Sequence, residues 1–253
     1  AMGQYFEPNE GSSRDIQQSD MICGFQVLRI PPKPDYLPIS QEEFEQRTLE
    51  AWTYNNDKTK VSAVFRGGER EWALLWNDES YFARGAVACR ASEEYQLKLV
   101  NEPISAIRDL LAIYGTDKVR LALLERDEPD EYVLQSIAKF GSTDIRHRLI
   151  EAAWTRTSLL ISCMPFLPAG CIEKLMSHPN TDVKVSAALH GTIDHCSQVL
   201  MLPLSMDNLA VSLERPFLLE RIAELDEVAW SIHFGKSIHL DKTKTRKYET
   251  MEL

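Results

Sequence analysis

The chain reads as an all-α protein, a right-handed α-solenoid of helical repeats behind a short N-terminal extension, on three observations. A short phrase recurs along it: an acidic residue, then a basic one, then small apolar residues. The apolar residues after each copy fall at helical spacing, as in Val61, Val64 and Phe65 or Val119, Ala122 and Leu123. The copies lie a few tens of residues apart, the step that holds a pair of packed helices.

The phrase is plainest at Asn180-Thr181-Asp182-Val183-Lys184-Val185-Ser186-Ala187-Ala188. It recurs as Asp57-Lys58-Thr59-Lys60-Val61-Ser62-Ala63, as Asp117-Lys118-Val119-Arg120-Leu121-Ala122 and as Asp144-Ile145-Arg146, and more loosely from Asp78 through Arg84. A sixth, weaker copy begins at Asp226 and lacks the basic residue. Anchored on Lys60, Arg84, Arg120, Arg146 and Lys184, the steps are 24, 36, 26 and 38 residues. An Asp just before a helix accepts bonds from the free N–H groups of the first turn and favours the positive end of the helix. The basic residue is placed to reach an Asp of its own or the next repeat. Such a ladder sets register more than stability, since exposed ion pairs are worth about 0–1 kcal/mol each.

These residues resemble the HEAT-like superfamily and its leucine-rich-repeat-variant form, in which an Asp at the intra-repeat turn precedes Val-Arg or Val-Lys and spaced small residues. The likeness is fullest at Asp117-Lys118-Val119-Arg120 and Asp182-Val183-Lys184 and extends over residues 55–235. It implies a scaffold or binding surface. A few such proteins are DNA glycosylases or bilin lyases. The iron–sulfur cysteine cluster of the variant family has no counterpart in this sequence, so no functional residue carries over.

Taken in order, residues 1–21 are polar and expected to be disordered. Residues 22–54 are expected to form an extended arm and a capping helix. Phe25, Val27 and Ile30 suit a strand, and Pro31, Pro32, Pro34 and Pro38 suit polyproline-like chain. Ser40-Gln41-Glu42-Glu43 is a capping box, opening a helix that turns Phe44, Leu49 and Trp52 toward the repeats. The repeat domain occupies residues 55–235. Gly67-Gly68 breaks two helical stretches there. Helices are predicted over 93–99, 104–114, 132–140 and 145–157, with Gly115 and Gly141 as C-terminal caps. At least two more fall in 207–235, with Pro216 near the start of one. Residues 236–253 form a basic tail.

The formal net charge of −10 opposes binding to nucleic acid and favours a cationic partner. The five cysteines form no Cys-x-x-Cys pair, so neither a zinc site nor a disulfide framework is predicted. No secretory leader is read, and the uncharged stretch 158–172 is short and broken by Pro165 and Pro168. The expected compartment is the cytoplasm, with no membrane contact. There is no P-loop, Gly-x-Ser-x-Gly or His-Glu-x-x-His. His190 and His195 are separated by Gly191, and Cys196 is only a sequence neighbour of His195. No catalytic residue, metal or cofactor is predicted.

Two groups of residues are candidates for partner binding. Glu125, Asp127, Glu128, Asp130 and Glu131 cluster around Pro129 on an inter-helix loop, where negative charge would speed encounter with a basic partner. Trp72 and Trp76, close to Tyr81 and Phe82, would be interface anchors where exposed. The function expected from these features is non-enzymatic protein binding, most specifically that of an immunity or antitoxin protein occluding a basic toxin such as a nuclease. The alternatives are a HEAT-like DNA-repair glycosylase, which needs a basic groove, and a general scaffold or adaptor.

Overall fold

The computed structural model describes residues 18–202 and 209–234. The start of the expected disordered segment and the basic tail lie outside them. The chain divides into two compact units, Ala1–Leu123 and Leu124–Leu253.

The first unit opens with a hairpin of β1 (Ser19–Ile22) and β2 (Phe25–Leu28). Strand thus begins at Ser19, ahead of the boundary expected at residue 22. The two-residue turn Cys23-Gly24 has φ of 51° and 82°, the twist that matches a tight antiparallel hairpin, with Ser19 opposite Leu28. Then come α1 (Gln41–Thr53), α2 (Asp57–Arg66), α3 (Glu69–Leu75), α4 (Tyr81–Arg90), α5 (Glu93–Lys98) and α6 (Ser105–Tyr114). Helix α7 (Asp117–Glu125) crosses the boundary between the units. The second unit holds α8 (Glu131–Phe140), α9 (Thr143–Ala152), α10 (Thr157–Cys163) with a 3-10 turn at Met164–Phe166, α11 (Ala169–Met176), α12 (Thr181–Leu189), α13 (Ile193–Leu200) and α14 (Leu209–Phe234).

The helices alternate in a strict period. Odd-numbered helices from α3 onward begin at residues 69, 93, 117, 143, 169 and 193, in steps of 24, 24, 26, 26 and 24. The N-caps of the even helices, Asn56, Ser80, Ile104, Asp130, Arg156 and Asn180, repeat the same steps. In the first unit α2, α4 and α6 pack successively on one another, and in the second α8, α10, α12 and α14 do the same.

This period corrects the spacing read from the anchors. Lys60, Arg84, Arg120, Arg146 and Lys184 all occupy the fourth helical position, their N–H bonded to the cap carbonyl of Asn56, Ser80, Thr116, Ser142 and Asn180 respectively. Lys60, Arg84 and Lys184 lie on even helices, whereas Arg120 and Arg146 lie on odd ones, which turns a regular period into steps of 36 and 38. The Asp of each phrase is not the cap either. Asn56, Ser142 and Asn180 cap through their side chains, and Asp57, Asp144 and Asp182 follow inside the first turn, where the helix dipole favours them. The sixth copy falls inside α14 and starts no helix.

Other boundaries shift for local reasons. The helix expected over 145–157 ends at Ala152, and a turn at 153–156 precedes α10. Residues 209–234 form one helix rather than two, with Pro216 inside it at the loss of a single N–H donor. The proline segment bends at 34–37, where Lys33 donates to the carbonyls of Pro34 and Leu37. Ser40 caps α1 as predicted, but the Glu43 carboxylate accepts from Arg47 instead of closing the box. Gly115 and Gly141 cap α6 and α8 with ordinary negative φ. What excludes a side chain is proximity, since a Cβ would stand 2.4 Å from the Leu111 carbonyl oxygen and 2.7 Å from that of Ile137.

The hairpin docks on α2. Val27 and Leu28 are buried, the Leu28 N–H donates to Ser62 Oγ at 2.8 Å, and Arg66 donates to the Leu28 carbonyl. Each buried aliphatic contributes about 1.5–3 kcal/mol, so apolar burial outweighs the ion pairs of Asp20 with Arg29 and Arg66 at the hairpin's rim. Phe25 lies against Phe65, ring centres 5.9 Å apart, and over Gly85 of α4.

Candidate protein-binding edge

Four of the turns leading into even helices share one construction. Before α4, α6, α8 and α12, the side chain two residues ahead of the cap accepts the N–H of the cap itself. Asp78 accepts from Ser80 at 2.8 Å, Glu128 from Asp130 at 3.0 Å, and His178, through Nδ1, from Asn180 at 3.0 Å. Glu102 stands at the same place before Ile104, at a longer 3.5 Å. This side-chain turn satisfies a donor that the helix cannot.

Cations then bind the turns from neighbouring repeats. In the first unit Lys60 pairs with Asp78 at 2.8 Å, and Arg84 holds Glu102 with two bonds of 2.9 and 3.0 Å, each reaching eighteen residues forward. Arg84 also donates to the carbonyls of Asp78 and Glu79, and Arg108 donates to those of Glu102 and Pro103. Arg108 is a fourth-position residue of α6 that the recurring phrase did not disclose. In the second unit Arg156 donates to the carbonyls of Glu128 and Pro129, and His178 Nε2 donates to the Trp154 carbonyl at 2.8 Å. Eighteen residues beyond Lys184 stands Leu202, so the ladder has no acceptor there. Arg120 and Arg146, on odd helices, instead cap the previous helix, donating to Ala112 and Ile113 and to Ala138 and Lys139.

These bonds bring the starts of successive even helices side by side within each unit and decide which residues face solvent. Of the five acidic candidates, Glu128 is only 1% exposed and is paired with Arg126 at 2.8 Å, so it holds the turn and cannot be a surface contact. Asp130 is the cap of α8, accepting the Tyr132 N–H. Glu125, Asp127 and Glu131 remain exposed. Asp127 has φ of 58°, a left-handed conformation that Asp tolerates better than most residues. Beside them Tyr132, on the first turn of α8, is 75% exposed. The cleft under this turn, lined by Leu124, Leu134, Leu149 and Arg156, has room for about one water.

The aromatic candidates divide differently from expectation. Trp72 is half-buried, its Nε1–H donating to the Val64 carbonyl and its ring edge-on to Tyr95. Trp76 is half-buried under the Lys98 ammonium, 5.8 Å from its ring centre. The exposed pair is Tyr81 and Phe82 at the start of α4, 51% and 40% exposed, with ring centres 4.0 Å apart. Exposed Glu79 precedes them. Each unit therefore shows acidic residues next to exposed aromatics on the first turn of an even helix.

His178, His195 and Cys196 have structural partners. His195 accepts the Thr192 N–H at Nδ1 and shares a 2.7 Å bond with Glu173 through Nε2, so both ring nitrogens are taken, as in His178. The Cys196 thiol donates to the Ala188 carbonyl at 3.2 Å. Burial pushes the Cys163 thiol up to about 12 and raises those of Cys171 and Cys196. Among the described residues no group of three or more His, Cys, Asp or Glu could hold a metal ion, and no helix is long and apolar enough to cross a membrane. No protein-family model, curated protein or solved structure matches the chain.

Proposed function

We propose that the chain is a non-enzymatic protein-binding module, an α-solenoid of HEAT-like helix pairs that takes a cationic protein at the turns opening its even helices. The observation that carries this reading is that Tyr132 is exposed within a few residues of exposed Glu125, Asp127 and Glu131, with the polar groups of the turn already satisfied. An exposed ring offers apolar area and a π face to a Lys or Arg side chain, and the flanking carboxylates steer the encounter. Tyr81 and Phe82 after Glu79 offer the same chemistry in the first unit. The 24–26-residue period and the stacked even helices support the solenoid, because repeats of this length present a row of equivalent turns. A net charge of −10 suits an immunity or antitoxin protein that covers a basic toxin in the cytoplasm. The test is purification from the native cell with identification of co-purifying chains. A stoichiometric protein of net positive charge is expected, released by raised salt. An acidic protein, or nucleic acid, in that place would overturn the reading.

A further inference from the structure

Two layers of contacts fix the hairpin against α4 and α6. In the first, Phe25 lies over Gly85, where a Cβ would meet Phe25 Cζ at 3.3 Å and Leu110 Cδ1 at 3.4 Å. Two residues back is Cys23, in the turn that leads into β2. Four residues on along α4 is Cys89, and four on along α6 is Tyr114, a rise of about 6 Å in each helix. The second layer is thus Cys23, Cys89 and Tyr114. The surroundings agree: the Cys89 thiol is raised by burial first and then by the Cys23 thiol against it, and the Tyr114 hydroxyl by burial and then by Cys23. Both cysteines are free and half-buried, whereas Cys163, Cys171 and Cys196 are buried.

Cys23 is also out of place as a turn residue. At φ of 51° it occupies the first central position of a two-residue hairpin turn, where Gly, Asn or Asp is favoured. A β-carbon there carries a conformational cost, so this position gives up turn propensity for a thiol.

We propose that Cys23 and Cys89 form an oxidisable dithiol, a modification site for peroxide that closes into a disulfide clasping the hairpin turn to α4. The Cys23 thiolate attacks one oxygen of hydrogen peroxide. The O–O bond breaks, Cys23 becomes a sulfenic acid, and the leaving hydroxide takes a proton to become water. Cys89 then attacks the Cys23 sulfur, the S–O bond breaks, and the hydroxyl leaves as a second water with the Cys89 proton. Two thiols are oxidised and one peroxide is reduced. Cys23 is the first target because burial disfavours the Cys89 thiolate.

The experiment treats the purified full chain, first reduced, with hydrogen peroxide, and maps its peptides by mass spectrometry beside Cys23→Ser and Cys89→Ser variants. The expected result is a Cys23–Cys89 linked peptide, two fewer titratable thiols per chain, and a higher melting midpoint in the oxidised form, all reversed by reductant. The Cys23→Ser chain should keep Cys89 reduced, and Cys89→Ser should stop at an over-oxidised Cys23. Oxidation of the wild type that stops at sulfinic acid on Cys23, or a disulfide joining other cysteines, overturns the proposal. So does a chain that keeps both thiols.

Discussion

At the scale of the residue, the informative side chains are those two places before the even-helix caps. Asp78, Glu102, Glu128 and His178 differ in chemistry and share a task, accepting the cap N–H while a neighbouring repeat holds the turn. The pair of Arg84 and Glu102 is the most enclosed of the ladder, with side chains 15% and 6% exposed. Removing one partner of such a pair leaves the other desolvated, so Glu102→Ala should cost about 3 kcal/mol or more. Glu43→Ala should cost at most about 0.5 kcal/mol, because its pair with Arg47 is half-exposed on both sides. Urea midpoints of the two variants measure the difference. Equal losses would show that the ladder does not hold the repeats. This ladder was only partly legible in the sequence. The anchors were visible as basic residues after an acid, but the acceptors of Lys60 and Arg84 lie eighteen residues on, beyond any local pattern. Glu102-Pro103, Glu128-Pro129 and His178-Pro179, at spacings of 26 and 50, carry the turn; the last two were read as separate turns and not as copies of one repeat, because the phrase was anchored on its cation.

At the scale of the element, helix starts were more legible than the order of the helices. Caps such as Ser40, Asn56 and Asn180 act locally, so their neighbourhoods disclosed where helices begin. The assignment of each start to an odd or even helix depends on packing, which no local phrase records, and so the period was misread. The exposure of Tyr81 and Phe82, and the partial burial of Trp72 and Trp76, also depend on packing. The hairpin was foreseen only as a possible strand. Its rim makes a pH-dependent prediction. Arg29 first, and Arg66 beside it, hold the Asp20 carboxyl down from its ordinary 3.8 to about 2. A depressed folded-state pKa stabilises above the unfolded value and is lost as pH falls through the folded one. The wild type should therefore melt higher than Asp20→Asn at neutral pH, and the gap should close as pH falls from about 4 to about 2. A gap that persists at pH 2 would detach Asp20 from those arginines. Calorimetry across that range reads it.

At the scale of the whole molecule, the proposed docking depends on charge at the turns that open the even helices. A chain of net charge −10 draws a cation from a distance, but only groups near the contact set the rate of productive encounter. Glu125, Asp127 and Glu131 are exposed and hold no turn together, so they can be neutralised without disturbing Glu128 or Asp130. The decisive measurement is a salt series of association rates between the co-purified protein partner and the chain, wild type against Glu125→Gln, Asp127→Asn and Glu131→Gln combined. The account predicts a slower association in the variant and a shallower dependence on salt, since screening over about 8–10 Å has less attraction left to remove. Dissociation should change little, whereas Tyr132→Ala should speed it. An association rate and salt slope equal to those of the wild type would contradict the claim that a cationic partner docks at these turns.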